Sequence, residues 1–413
     1  METSSAHFLV EQLLVAFRFL YEFSYVWVTL LFVSIFFNTW LLYRKALFVK
    51  KQGWKLLEIK LPKEIRKSPQ AMELVFTTMW QKASMSFKDT YIDGKIVPYY
   101  SLELVSIGGE VHFYIWTQNK MKDIVEAQIY AHYPTVEIYE VPDYTIPVVL
   151  DPTKMLMWGT HFKLNKPDPF PIKTYIDYEL DKHATEKDQE TVIDPMASMI
   201  EYLGSISRDE QVWIQILIRA NRDYGLDAGH IIKKKNWIGG VDEEIAKVLK
   251  KYEIDPKKDP GKPPPPFTEE DKNLLKALNR SKSKYAFDTM MRAIYICQPG
   301  KFNGSRITGL LSSLRQYDDN VLNGFGVGLF TDFDYPWQDF MRMRRTQREK
   351  MMLDAYKRRG CFYGEYQYWA EKPFVLTTEE LATIYHFPGG MVSTPTMGRI
   401  GSRKAEAPNN LPV

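Results

Sequence analysis

Seven histidines and two cysteines are the side chains of this chain best suited to metal or nucleophilic chemistry, and their spacing argues against both. His7, His112, His132, His161, His183, His230 and His386 are scattered, and none has a second histidine four residues on, as a helical zinc site requires. Cys297 and Cys361 supply neither a disulfide framework nor a zinc-ligand set, which fits a reducing cytosol. A phosphate-cradling loop needs G-x-x-x-x-G-K-[ST], and Gly300, Gly304 and Gly309 are followed by no lysine–hydroxyl pair. Gly324 to Gly328 is too irregular for a dinucleotide loop. Asp318-Asp319 and Glu379-Glu380 read as solvated or helix-N-terminal charges, the latter favouring the helix dipole. His112 lies opposite Phe113 in strand register and reads as a surface histidine. The expectation is no enzyme: no catalytic residue, no cofactor and no metal.

Binding chemistry is better represented. An aromatic segment, TDFDYPWQDF, precedes a basic helix that carries Arg342, Arg344, Arg345, Arg348, Lys350, Lys357, Arg358 and Arg359. Only Glu349 and Asp354 oppose these charges. Such a helix suits a phosphate backbone, an acidic lipid or protein surface, or simply solvent. The net charge of +3 does not by itself point to nucleic acid. Arg342, Arg344, Arg345, Arg348, Arg358 and Arg359 are the candidate basic surface, with Lys233–Lys235 as a second basic site. A membrane-tethered nucleic-acid-binding module is the alternative reading.

The elements that must position these residues begin with an uncharged apolar run, Phe23 to Tyr43. At about 1.5 Å per residue it spans roughly 30 Å, the thickness of a bilayer core. Arg44, Lys45, Lys50 and Lys51 follow it, so the C-terminal side is expected in the cytosol and the N-terminus outside. Tyr25, Trp27, Trp40 and Tyr43 sit near its ends, where amphipathic rings favour headgroups. A cleaved signal peptide would be shorter, with its charge first. Residues 1–22 form a second apolar helix, interrupted by Glu11 and Arg18, which lies on the outer leaflet or extends the anchor.

Beyond the anchor the pattern shortens to strands and helices in the order β-α-β-β-α-β. A strand carries Leu57, Ile59 and Leu61, and Ser68-Pro69 opens a helix with Met72, Val75, Phe76 and Met79. A hairpin, Tyr99–Ile107 and Val111–Thr117, turns at Gly108-Gly109. A helix over Lys120–His132 and a strand over Val136–Val141 complete a unit spanning 52–150. The same order recurs over 165–330: a strand at Ile172–Leu180, a helix opened by Asp194-Pro195, and a strand at Val212–Ala220. After an insertion over 221–285 come a strand near Ala286–Cys297, a helix with Ile307 to Leu314, and a segment around Gly324–Leu329. The insertion holds a helical piece near Asp242–Tyr252, the stiff Pro263–Pro266 run and a helix capped by Thr268. The fold class is therefore α+β: a transmembrane helix at 23–43, two ferredoxin-like domains, a basic helical segment at 331–390 and a flexible tail at 391–413.

Several segments resemble an uncharacterised bacterial membrane-anchored family linked to conjugation-type type IV secretion ATPases. They are Lys67–Glu73, Ser101–Ile115, Val125–Pro134, Val212–Arg219, Phe333–Phe340 and Thr377–Gly390, covering nearly the whole chain after the anchor. In longer relatives the last block resembles the lead-in to a RecA-like motor domain, and this sequence ends at Val413, where that motor would begin. The resemblance implies a motor-less adaptor that docks a hexameric ATPase supplied in trans at the inner face of the cell membrane. The partners it implies are membrane lipid, that ATPase and further copies of the chain. Tyr385, His386, Phe387 and Pro388, which end a Thr-capped short helix, are the implied docking residues.

Overall fold

A computed structural model gives the fold over residues 11–62, 67–82, 85–151, 153–181, 194–222, 237–253 and 265–388, apart from 13, 16, 20, 334, 368 and 370. The expected Lys233–Lys235 site and the tail over 391–413 lie outside these residues. The chain forms two compact units. One comprises the N-terminal segment to Lys51 together with Met85–Ile96, and the other comprises Gln52–Ser84 and the chain from Val97 onward.

In the first unit, helix α1 (Ser24–Lys51) is long and apolar enough to cross a membrane. Only Leu41 of its side chains is buried, and Phe32, Ile35 and Phe36 lie open along its length. The described residues between 11 and 19 are also helical and exposed, and Arg18 pairs with Glu22 one turn on at 3.1 Å.

The second unit is built on one mostly antiparallel sheet. Its first half comprises β1 (Trp54–Lys60), α2 (Gln70–Met79), β2 (Tyr99–Ile107), β3 (Glu110–Gln118), α4 (Lys122–His132) and β4 (Glu137–Val141), in the spatial order β4-β1-β3-β2. The short helix α3 (Phe87–Tyr91) belongs to the other unit. The second half comprises β5 (Leu156–Leu164), α5 (Pro195–Gly204), β6 (Glu210–Ala220), β7 (Ala286–Cys297), α8 (Gly304–Leu314) and β8 (Phe325–Phe330). Its order, β6-β7-β5-β8, is that of the first half run backwards, and β2 pairs antiparallel with β6 to fuse the two. Between β6 and β7, helices α6 (Trp237–Lys250) and α7 (Glu269–Lys282) share a small core of Val241, Val248, Leu274 and Leu278. Helix α9 (Met343–Lys357) is followed by β9 (Phe374–Thr377), which joins β7, and by α10 (Thr378–Ile384).

Ile172–Leu180 is not a strand. Asp177 accepts from the Thr174 amide and hydroxyl, the Asp177 amide returns to the Thr174 carbonyl, and Glu179 takes a left-handed backbone at φ 57°. These bonds close turns, and the pairing goes instead to Leu156–Leu164, which is flanked by β7 and β8.

Helices α2, α4, α5, α8 and α10 pack on one face of the sheet. The strands meet them with Leu57, Ile115, Leu102, Ile216, Met291 and Phe162, which are partners across successive strands. Full burial of such a side chain contributes about 1.5–3 kcal/mol. Thr377 caps α10 in a reciprocal box with Glu380, whose second oxygen accepts from the Ile172 amide at 2.9 Å. Burial pushes the Glu380 carboxyl up to about 7. A carboxyl raised above its ordinary value of 4.5 favours the fold below that value and loses the contribution as pH rises through about 7. We therefore expect wild-type stability to fall between about pH 4.5 and 7 relative to Glu380→Gln, measured as the difference between their denaturation midpoints.

Candidate functional site

The other face of the sheet carries a row of polar side chains, one per strand. Register places Glu58 of β1 opposite Tyr114 of β3, Tyr114 opposite Glu103 of β2, and Glu103 opposite Gln215 of β6. The row continues to Arg292 of β7 and His161 of β5. All but His161, which follows Thr160, sit between apolar neighbours, so strand alternation collects them on one side.

Glu103 and Gln215 lie at the fusion of the two halves, and Glu103 is the hub. It accepts from the Ser101 hydroxyl (2.6 Å), the Gln215 amide (2.8 Å) and the Tyr144 hydroxyl (2.8 Å). Arg359 Nε and Nη2 reach its two oxygens at 3.0 and 3.2 Å, and the same guanidinium holds Asp143. Both Glu103 and Arg359 are fully buried. The Arg359 guanidinium holds the Asp143 carboxyl below its ordinary range, outweighing the burial that works to raise it. Arg292 donates to Gln215 and to the carbonyls of Ala355 and Gly360. Burial lowers it to about 10, so it stays charged at neutral pH. His161, beside Arg292 and edge-on to Trp369, is lowered to about 3 by burial and by that charge, and is neutral. His112 pairs with Glu58 at 2.8 Å and stacks on Tyr114, so it is part of this row rather than a surface histidine.

This polar face fixes α9. Met352 Cγ lies 3.0 Å from the point where a Cβ on Gly159 would sit, so the glycine lets the helix approach the sheet. Tyr356 bonds Tyr144 at 2.9 Å, and the chain leaves the helix through Arg359 in a left-handed conformation (φ 49°). Glycine is the usual residue there, and an arginine is tolerated because its guanidinium is held so closely.

At the other end of α9, the loop before it is equally braced. Asp339 accepts from the Arg344 and Arg345 amides at 3.1 and 2.7 Å, satisfying donors of the first turn. Arg345 joins Asp332 and Glu349, while Arg348 donates to the Phe330 and Asp332 carbonyls and covers the Phe333 ring. Burial raises the Glu349 carboxyl despite Arg345. The braced loop then displays apolar side chains to solvent. Trp337 is 74 % exposed and stacks on Tyr335, Phe340 is 89 % exposed, and Met341 and Met343 lie open beside them. Exposed aromatic and methionine side chains close together in sequence, beside Arg342 and Arg344, have the composition of a binding surface.

The six arginines of the expected basic surface divide: three are exposed, two are half-buried and one is buried. Arg342, Arg344 and Arg358 are exposed, although Arg358 pairs with Asp354 and Glu365, and Arg344 leans over Phe333. Arg345 and Arg348 brace the loop, and Arg359 is core. The expected docking residues lie in the core. Tyr385, His386, Phe387 and Pro388 are all buried. Tyr385 donates to the Tyr114 carbonyl through the sheet, Phe387 packs on Phe113 and Tyr133, and His386 meets Asp194 at 3.1 Å. Among the described residues, no group of three or more His, Cys, Asp or Glu could hold a metal ion. Glu103, Asp143, Tyr144, Gln215, Arg292 and Tyr356 were not singled out from the sequence. For Glu103, Gln215 and Arg292 the signal was there in part: a charged or amide residue set within a largely apolar strand, as in SLELVSI, VWIQILI and MMRAIYI.

Sheet, polar row and displayed loop belong to a mixed α+β protein that carries an apolar N-terminal helix. The chain belongs to the family of a domain of unknown function, DUF8128, matched over residues 45–399. No curated protein matches it.

Proposed function

We propose that this protein is a non-enzymatic, single-pass membrane adaptor whose loop Tyr335–Met343 docks a partner protein. The observation that carries the reading is that loop: four large apolar side chains held out in solvent by an ion-paired frame. Preorganisation of this kind lowers the ordering cost of association. Helix α1 supplies the anchor, with its N-terminus outside and the sheet unit in the cytosol on the charge rule. Each half of the sheet is a ferredoxin-like unit, a reading supported by the β-α-β-β-α-β succession and the strand order 4-1-3-2 in both. The partner is a conjugation or type IV secretion-type ATPase at the inner face of the cell membrane, bound by a ring of copies.

Photocrosslinkers placed at Trp337 and Phe340 in intact cells should capture a Walker-type ATPase. The double change Trp337→Ser with Phe340→Ser should abolish capture while altering fold stability by no more than about 0.5 kcal/mol. Loss of two central anchors at about 2 kcal/mol or more each weakens Kd at least roughly thirty-fold per residue. Capture of lipid or nucleic acid alone, or an unchanged ATPase adduct in the double variant, would overturn the docking assignment. Protease protection of the sheet unit in right-side-out vesicles, and retention of residues 24–51 in the mature protein, test the anchor.

A further inference from the structure

We infer that residues 85–96 form a foot that lies in the headgroup region of the bilayer beside α1, with Phe87 and Ile92 inserted among the lipids. The inference rests on the reading of α1 as a membrane span. The foot is fastened to the end of α1 that precedes its basic flank. Trp40 Nε1 donates to the Tyr91 carbonyl at 3.0 Å, Arg44 Nε donates to the Ile92 carbonyl, and the Phe37 and Tyr91 rings lie 5.2 Å apart. Gly94, at φ 67°, lies so close that a Cβ there would sit 2.5 Å from the Arg44 backbone.

These contacts fix the depth. From Arg44 back to Phe37 is about 10 Å along a helix, so the foot covers the last two turns before the cationic flank. That is the boundary between headgroups and acyl chains, where interfacial segments bury apolar faces about 5–10 Å deep. Tyr91 packs on Phe37 and Phe87, while Phe87 is 65 % and Ile92 51 % exposed, on a segment held against a helix whose Phe36 and Trp40 are also exposed. Their exposure continues the apolar surface of the helix itself.

The polar groups of the foot suit the same place. A backbone leaving bulk water loses less when its hydrogen bonds are made internally. The Thr90, Ile92 and Lys95 amides bond the Ser86, Lys88 and Asp89 carbonyls at 3.1, 3.0 and 2.8 Å, and the Tyr91 and Ile92 carbonyls are taken by Trp40 and Arg44. Asp89 closes a reciprocal capping box with Ser86 and pairs with Lys95, which hold its carboxyl well below the usual range. Lys88 is exposed, on a long stem able to reach anionic headgroups.

The test uses the full chain in nanodiscs of neutral and anionic phospholipid, with an environment-sensitive fluorophore on Phe87→Cys, Ile92→Cys or Leu31→Cys. Cys297 and Cys361 are buried and burial raises both thiols, Cys361 to about 12, so the introduced thiol reacts first. Labels at 87 and 92 should be quenched by nitroxides near the headgroup and shielded from aqueous iodide. The label at 31 should respond to deep nitroxides. Adding Gly94→Val, or the milder Trp40→Phe, should cut shallow quenching at 87 by roughly twofold or more as the foot leaves its seat. Deep quenching at 31 with full iodide access at 87 and 92 overturns the foot and leaves the span intact. Absence of quenching at 31 overturns both.

Discussion

Arg359→Ala should be the most destabilising single change in this protein, lowering the unfolding free energy by about 3–5 kcal/mol, read from the denaturant midpoint of the full chain in detergent. The alanine would leave the Glu103 carboxyl fully buried and without its charged partner, which is the costly way to break such a pair. Arg359→Lys keeps the charge but loses the paired contacts to both Glu103 oxygens and the reach to Asp143, so it should recover only part of the loss. Replacing both partners, Glu103→Leu with Arg359→Met, should come closer to wild type than Arg359→Ala. Full recovery is not expected, because Asp143, Tyr144 and Gln215 would lose bonds as well. Asp143 adds a pH signature. Its carboxyl is depressed in the fold, so its contribution is present above the unfolded value and is lost as pH falls through the folded one. Arg359→Ala should remove that acid-side slope.

Phe387→Ala should cost about 3–5 kcal/mol by the same measurement, through the cavity left among Phe113, Tyr133 and Tyr385. Phe387→Leu should cost less, since much of the volume is kept. A docking residue would behave in the opposite way, with unchanged stability and lost partner binding. A Phe387→Ala protein as stable as wild type would return this segment to the surface.

The contrast between these residues and the exposed loop shows what the chain discloses before it folds. In the first half, turn chemistry and period agree: Gly108-Gly109 marks the hairpin, and Met72, Val75, Phe76 and Met79 mark one helix face, so strands and helices fall close to their observed places. The second half misled at Ile172–Leu180, where apolar and polar residues alternate as in a strand. Local bonds from Asp177 to Thr174 override that period. The real strand, Leu156–Leu164, is almost wholly buried on both faces and shows no clean alternation. Tyr385 to Phe387 looked like a terminal docking peptide because sequence position says nothing of the sheet above it. Arg359 looked like its neighbours on the basic helix, and only the register that sets Glu103 beneath it tells them apart. The displayed loop was visible as composition, but its exposure depends on Asp339, Arg345 and Arg348 acting together, which spacing does not reveal.

The Glu103–Arg359 contact also bears on biosynthesis. Its partners are 256 residues apart in the chain. At about 5–20 residues per second, the ribosome makes Arg359 roughly 13–50 s after Glu103. During that interval the nascent first half holds the Glu103 side chain with no guanidinium to receive it, so this face of the sheet cannot close before codon 359 has been read. A premature stop upstream of codon 359 should therefore yield a product that cellular proteases recognise, even though nearly every strand has been synthesised.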